Sequence, residues 1–110
     1  MFGKKKKLEE AKQLSNKAIK DITKNDWDHA IQLYHEALAI QEKIVGENHI
    51  DTAETYKNLG LVYKFKGDYA EAMSWYQKSL ASYESAKDAN PRIIAQVRET
   101  IATIEKGPQQ

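Results

Sequence analysis

The chain repeats its own pattern at an interval of 42 residues. Sliding the sequence by that interval superposes Asp26-Trp27 on Asp68-Tyr69. Further matching positions are Ala30 with Ala72, Tyr34 with Tyr76, Leu38 with Leu80, Asn16 with Asn58, and Ala11 with Ala53 and Ala95. A fixed period of this kind is typical of a repeat array, in which each unit buries its apolar face by stacking on the next.

One unit of the repeat is clearest between Thr55 and Tyr83. Its first helical stretch carries Gly60, a small residue that lets a neighbouring helix come close. Gly67 then reaches the left-handed conformation that ends a helix, and Asp68 accepts the free amides of the next one. We therefore expect two helices joined by a tight turn in an antiparallel hairpin.

The spacing of aromatic and small residues in this hairpin resembles the tetratricopeptide repeat (TPR). The matching positions are Tyr56-x-x-Leu59-Gly60-x-x-Tyr63 and then Ala72-x-x-x-Tyr76-x-x-Ser79. The usual TPR period is about 34 residues, whereas the longer interval here is similar to that of kinesin light chains, whose second helix is extended. The resemblance covers about residues 8–106. It implies an all-α fold, a right-handed α-α superhelix of about two and a half TPR-like helical hairpins with five helices.

Cap and turn residues divide the array. We expect a basic flexible terminus over residues 1–7, repeat 1 over about 8–46, repeat 2 over about 50–88, a closing helix over about 91–106 and a tail over 107–110. Asn25 and Asp26 mark the first turn, because Asn tolerates the left-handed conformation and Asp caps a helix. Asp51 and Glu54 have the spacing of a capping box, which predicts that the third helix opens near Thr52.

Composition argues against several classes of function. The chain has 110 residues, a net charge of +1 and no cysteine. We therefore expect one domain without disulfides, thiolate metal sites or a strong field for nucleic acid. No apolar run reaches the roughly 18 residues of a membrane span, and the first residues lack the apolar core of a signal peptide. These features predict a soluble, cytoplasmic protein.

Catalytic and metal-binding patterns are incomplete. His35-Glu36 begins like the helix motif of zinc proteases, but Ala39 stands where the second histidine would be. His29 and His49 do not complete a ligand set with His35, and the sequence has no glycine-rich phosphate loop. We expect no enzyme activity, no metal site and no cofactor.

A basic run, Lys4, Lys5, Lys6 and Lys7, precedes the first repeat. Such a run contacts phosphates or anionic lipid headgroups in some proteins, and in others it is a solvated terminus. Four lysines without interleaved aromatic residues favour the solvated terminus. Any membrane contact by these lysines would be weak, and nucleic-acid binding is not expected.

The first helices of a right-handed stack of TPR hairpins line a concave side, where an extended peptide fits. The candidate groove residues are Lys12, Ser15, Asn16, Ile19 and Thr23 from the first helix, Glu54, Lys57, Asn58, Leu61, Lys64 and Phe65 from the third, and Gln96, Glu99, Thr100 and Thr103 from the fifth. Asn16, Asn58 and Thr100 share one register, and a side-chain amide offers a donor and an acceptor to peptide backbone. The kinesin-light-chain resemblance implies this role for Asn58. An exposed Asn that only solvates its helix would give the same pattern.

The aromatic residues are expected to serve mainly in packing. Those placed at helix–helix contacts by the repeat are Trp27, Tyr34, Tyr56, Tyr63, Tyr69 and Tyr76. Trp75 and Tyr83 lie off the inner stripe of the fourth helix. They either pack against the fifth helix or form an outer contact.

Two functions follow from this architecture. The first is a non-catalytic adaptor that binds a peptide segment or helix of another protein in the concave groove. The second is a structural or self-associating subunit, a homo-oligomer included, that docks through its terminal helices or its convex face.

Overall fold

The computed structural model describes residues 2–107, and within this range the chain forms five α-helices and no strand. The helices are α1 (Phe2–Thr23), α2 (Trp27–Ile44), α3 (Ile50–Lys66), α4 (Tyr69–Ser85) and α5 (Pro91–Lys106). The predicted all-α architecture of helical hairpins is confirmed. Met1 and residues 108–110, which make up most of the expected tail, lie outside the described residues.

Each helix packs against its neighbours in sequence: α1 against α2, α2 against α3, α3 against α4 and α4 against α5. The array is elongated, with principal extents of 52 × 31 × 18 Å. A closed bundle of five helices would bring α1 and α5 together, but these two helices are not among the packed pairs. The helices therefore form an open stack. The stack leaves α1, α3 and α5 beside one another, with α2 and α4 behind them.

The two hairpin turns use the same chemistry. Asn25 has a φ of +60°, and the Asp26 carboxylate accepts a hydrogen bond from the His29 amide at 3.3 Å. Gly67 has a φ of +91°, and Asp68 accepts from the backbone amide at the start of α4 at 3.2 Å. Both turns are as predicted, since a residue in the left-handed region ends one helix and an Asp caps the next.

The predicted capping box at the start of α3 is wrong. The helix begins at Ile50, and its cap is His49, whose Nδ1 accepts a hydrogen bond from the Asp51 amide at 3.0 Å. The Thr52 hydroxyl donates to the Gly46 carbonyl at 2.7 Å, which folds the loop back onto the first turn of the helix. The chain therefore enters the helix earlier than the capping-box spacing indicated.

The first helix also begins early, at Phe2 instead of near Leu8. The predicted flexible terminus is corrected to this extent: Lys4–Lys7 stand on the first turns of α1. Lysine is a good helix former, and the Lys7 ammonium lies 3.4 Å from the Glu10 carboxylate one turn later. In the described part of the chain no helix is both long and apolar enough to cross a bilayer.

Two apolar clusters hold the stack together. The first joins α1, α2 and α3 through the buried residues Ala18, Ala30, Leu33, Tyr34, Leu38, Tyr56, Leu59 and Val62. The second joins α3, α4 and α5 through Ala53, Ala72, Tyr76, Tyr83, Val97 and Ile101. Because α3 contributes to both clusters, it is the element that couples the two hairpins.

The closing helix repeats the register of the earlier helices but not their burial. Ala11 and Ala53 are fully buried, whereas Ala95 in the same register is exposed. Arg98 stands where the repeat has Tyr56, and its guanidinium pairs with a carboxylate of α4. The face of α5 that corresponds to a hairpin contact is thus polar and solvated, as expected of a capping helix.

Candidate protein-interaction surface

The first concave surface, the α1–α3 groove, is a cavity of about 390 Å³ between α1 and α3. It brings together six of the residues that the sequence predicted for the groove: Lys12, Ser15, Asn16, Ile19, Glu54 and Asn58. Lys5, Leu8, Glu9, Gln41, Asp51 and Thr55 complete the lining. Lys5, Leu8, Glu9 and Asp51 each stand seven residues before a predicted groove residue, so they lie on the same helix faces about two turns earlier. They were not predicted because the sequence placed Lys5 in a terminus and Asp51 in a helix cap.

A buried hydrogen bond forms the floor of the α1–α3 groove. The Thr55 hydroxyl donates to the Gln41 side-chain oxygen at 2.7 Å, and both residues are buried. This bond links α2 of the first hairpin to α3 of the second. It therefore fixes the distance between the hairpins on which the width of the groove depends.

The α1–α3 groove carries both signs of charge. Lys5 and Lys12 on α1 face Asp51 and Glu54 on α3. Burial raises the pKa of the nearby Tyr34 phenol to about 12, and the Glu54 carboxylate is a second, smaller cause. A surface of this kind suits an uncharged or mixed-charge polypeptide segment better than a uniformly charged one.

The second concave surface, the α3–α5 groove, is larger, at about 820 Å³. It contains the predicted residues Lys64, Phe65, Gln96, Glu99, Thr100 and Thr103, together with Tyr69, Ile104 and Gly107. Its volume lies within the range of about 300–1,000 Å³ that is usual for ligand sites. The α3–α5 groove therefore brings Lys64 and Phe65 of α3 together with all four predicted residues of α5.

Two exposed aromatic side chains give the α3–α5 groove its apolar character. Phe65 is 49% exposed, and its ring centroid lies 5.5 Å from that of Trp27. Tyr69 is 54% exposed, so its predicted role in helix packing is wrong. The repeat explains the difference: Phe65 covers Trp27, and the residue at the corresponding position for Tyr69 is Gly107, which has no side chain.

Three predicted groove residues lie outside both cavities. Thr23 is exposed, and its hydroxyl donates to the Lys20 carbonyl at 2.6 Å. Leu61 is half-buried and packs against the second apolar cluster. Lys57 is half-buried and lines neither groove.

The expected row of backbone-pairing residues is divided between the two grooves. Asn16 and Asn58 line the α1–α3 groove together. Thr100 lines the α3–α5 groove, and its hydroxyl donates to the Gln96 carbonyl of its own helix at 3.0 Å. Within residues 2–107 no hydrogen bond engages the side-chain amides of Asn16 and Asn58, whereas the Thr100 hydroxyl donates within its own helix. The pairing positions are therefore fewer than the register indicated.

Of the two alternatives for Tyr83, packing against the fifth helix is confirmed and the outer contact is wrong. Tyr83 is 3% exposed and packs in the second apolar cluster with Val97 of α5. Trp75 is half-buried, but it packs against the first cluster, with its ring centroid 6.0 Å from that of Tyr56. Its ring centroid also lies 5.4 Å from that of His35 on α2 of the first hairpin. Trp75 therefore packs between the hairpins, and neither the fifth helix nor an outer contact describes its position.

Three titratable residues gather at the first turn. The His29 Nδ1 lies 2.6 Å from the Asp21 carboxylate, and Asp26 accepts from the His29 amide. One potential ligand atom from each of the three lies within 4.8 Å of the others. These contacts close the turn between α1 and α2, and they account for all three side chains without a ligand.

Comparison with known proteins identifies the family. The family model of the tetratricopeptide repeat matches residues 23–85, which is more than half of the chain. The chain therefore belongs to the tetratricopeptide repeat family. Repeats of this family generally mediate protein–protein interactions and the assembly of complexes, and they are generally non-catalytic.

Three relatives illustrate the similarity. The photosystem I assembly protein Ycf3 of Prochlorococcus marinus is 38% identical over 55 residues, which are 50% of this chain and 29% of that protein. Protein HGV2 of Halocynthia roretzi is 41% identical over 65 residues, 59% of this chain and 13% of its own length. The clustered mitochondria protein homolog of Vanderwaltozyma polyspora is 38% identical over 63 residues, 57% of this chain and 5% of its own. The chain thus spans less than a third of each of these relatives.

Proposed function

We propose that the chain is a non-catalytic interaction module that binds a polypeptide segment of a partner protein on the concave side formed by α1, α3 and α5. The observation that carries this proposal is the pair of grooves that α3 separates. Apart from the buried Gln41 and Thr55 at the floor of the α1–α3 groove, the side chains that line both grooves are exposed or half-buried, and both grooves are open to solvent.

The two grooves offer complementary contacts to one extended segment. Asn16 and Asn58 can each donate to and accept from peptide backbone. Phe65 and Tyr69 provide an apolar contact that is already partly ordered, because Trp27 supports the Phe65 ring. A bound segment therefore pairs its backbone in the α1–α3 groove and places an apolar side chain in the α3–α5 groove.

The proposed repeat is the longer, kinesin-light-chain-like variety. The caps Asp26 and Asp68 occupy the same position in two turns of the same chemistry, 42 residues apart. The second helices are long, with 18 residues in α2 and 17 in α4. We also place the site of action in the cytoplasm, on the basis of the cysteine-free composition.

Self-association is the second candidate function, but one of its two proposed docking surfaces is not available. An outer contact through Tyr83 has no basis, because that side chain is buried. The terminal helices remain as docking surfaces. Sedimentation velocity at several concentrations separates the two functions, since a concentration-independent monomer contradicts self-association.

The proposal is tested by quantitative affinity capture with an immobilised chain and three variants. Asn16→Ala/Asn58→Ala removes the amides, and Phe65→Asp places a charge in the apolar contact. Ile50→Asp is the matched control, because Ile50 is also exposed and lies outside both grooves. We expect the first two variants to lose most of a partner that the control retains. Equal recovery on all three folded variants would overturn the proposal.

A further inference from the structure

A third concave surface lies away from both grooves, where the start of α1 meets the end of α2. Its cavity measures about 490 Å³. We name it the lysine slot, and its lining residues are Gly3, Lys4, Lys7, Ala39, Ile40, Lys43 and Ile44. Its size is again that of a ligand site, between about 300 and 1,000 Å³.

The lysine slot combines an apolar floor with a cationic rim. Ile40 and Ile44 are half-buried and line the cavity with apolar side chains, while Lys4, Lys7 and Lys43 are exposed around it. No acidic residue is among the lining residues. In residues 2–107 no carboxylate forms an ion pair with Lys4 or Lys43, so the rim has an excess of positive charge.

The internal repeat shows what covers the equivalent position in the second hairpin. Ser82 corresponds to Ile40 at the repeat interval, and Ser82 is only 1% exposed. Its hydroxyl donates to the backbone carbonyl of Glu47, in the loop between α2 and α3. That loop is held in place because the Thr52 hydroxyl donates to the Gly46 carbonyl at 2.7 Å. A non-helical segment thus seals this position in the second hairpin.

The first hairpin lacks this cover because its chain takes another path. The positions that correspond to the loop are Gly3–Lys7, and these residues are helical. The start of α1 is a regular helix that lies beside the end of α2, with the cavity between them. Ile40 therefore borders an open cavity, although its counterpart in the second hairpin is enclosed.

We propose that the lysine slot binds a short, non-helical acidic segment of a partner polypeptide. An apolar side chain of the segment packs on Ile40 and Ile44, and flanking carboxylates lie between Lys4, Lys7 and Lys43. The non-helical form of the segment follows the loop that fills the corresponding place in the second hairpin, which contacts α4 through the Glu47 backbone carbonyl. Its acidic charge follows from the lysine rim, in which Lys4 and Lys43 form no ion pair within residues 2–107. This site is distinct from the concave grooves and does not depend on the function proposed for them.

The test is a selection from random twelve-residue peptides displayed on phage, with the unaltered chain immobilised. The soluble variant Ile40→Asp/Lys43→Glu is present in excess, so that peptides bound elsewhere are removed. We expect the selected peptides to carry at least two acidic residues beside a Val, Ile or Leu. A selection that yields no peptide specific for the unaltered chain, or only peptides without acidic residues, would overturn the proposal.

Synthetic copies of the selected peptides are then measured by fluorescence anisotropy. Lys4→Gln/Lys43→Gln should raise Kd roughly 3- to 10-fold, and this loss should shrink at high salt. Lys17→Gln/Lys20→Gln, which removes two exposed lysines of α1 outside the slot, and Asn58→Ala should leave Kd unchanged. An equal loss of affinity in the Lys17→Gln/Lys20→Gln control would contradict the proposed site. So would binding of the chain to phosphatidylserine vesicles that is lost in Lys4→Gln/Lys43→Gln when no acidic peptide binds.

Discussion

Gly60 of α3 lies directly against the ring of Tyr76 of α4. A Cβ atom added at Gly60 would lie 3.0 Å from each of three Tyr76 ring atoms, Cγ, Cδ2 and Cε2. The ring cannot move away easily, because Tyr76 is 3% exposed and packed in the second apolar cluster. The close approach of α3 and α4 thus depends on the missing side chain, as the sequence analysis expected of Gly60.

We predict that Gly60→Val lowers the free energy of unfolding by about 1–3 kcal/mol, because the added methyl groups overpack the contact with Tyr76. Urea unfolding followed by circular dichroism measures this. Gly3→Val is the control, since a side chain at Gly3 meets no atom within 4 Å. Tyr76→Leu should reduce the effect of Gly60→Val in a double-mutant cycle. Strictly additive effects would show that the two residues do not compete for space.

A second prediction concerns the bond between Gln41 and Thr55 under the α1–α3 groove. Thr55→Val leaves the buried Gln41 side chain without its donor, so it should destabilise the chain by about 1–3 kcal/mol. Adding Gln41→Leu should recover most of that loss, because an apolar pair has no unsatisfied group. At the repeat interval, Gln41 and Thr55 correspond to Tyr83 of α4 and Val97 of α5. These two side chains pack together in the second apolar cluster, so the α4–α5 contact already has an apolar residue in place of Thr55. Thermal unfolding of the single and double variants distinguishes recovery from further loss, and further loss would contradict the prediction.

A third prediction compares two contacts that the repeat places in the same position. The Tyr56 hydroxyl donates to Glu42 where α3 meets α2, and Arg98 pairs with Glu84 where α5 meets α4. Tyr56→Phe should cost about 0.5–1.5 kcal/mol of stability, because Tyr56 is buried. Arg98→Ala should cost less than about 1 kcal/mol, since exposed ion pairs contribute little. Chemical denaturation of both variants provides the comparison, and a larger effect of Arg98→Ala would refute the ranking.

The fourth prediction is alkaline unfolding. Burial is the main cause that raises the pKa of Tyr34, Tyr76 and Tyr83 to about 12 each. An unfolded tyrosine ionises near pH 10, so the folded state favours the neutral phenol. The stability from this difference is complete below about pH 10 and is lost as the pH rises towards about 12.

Tyrosinate absorbance and helical circular dichroism, recorded together from pH 8 to 13, check this prediction. We expect the buried tyrosines to ionise only as the helical signal is lost. Ionisation of all 6 tyrosines of the chain near pH 10, with the helices intact, would show that the three phenols are not buried.

Much of the fold follows from local chemistry and could be predicted from the sequence. Asn25, Asp26, Gly67 and Asp68 each act through their own turn, so their roles do not depend on distant contacts. The start of α3 differs because the His49 cap depends on how the preceding loop folds back. A spacing rule contains no information about that loop.

The candidate site was predicted in part, because register identifies a helix face but not the neighbour that covers it. Asn16 and Asn58 meet in one groove as their shared register indicated. Tyr69 was assigned to packing although Gly107, the residue in the position to cover it, has no side chain. In the first repeat Phe65 covers Trp27, and the same comparison one repeat later pairs Gly107 with Tyr69. That comparison would have predicted the exposure of Tyr69. Whether the groove residues bind a partner stays a prediction.

The central claim is that a partner segment lies on the concave side of the stack. The most direct measurement is the nitrogen–proton correlation spectrum of the labelled chain, with and without a peptide from a captured partner. The account predicts shift changes at Asn16, Asn58 and Phe65, with none at Gln32 and Gln77, which are exposed on α2 and α4. Changes confined to α2 and α4, with Asn16 and Asn58 unaffected, would contradict it.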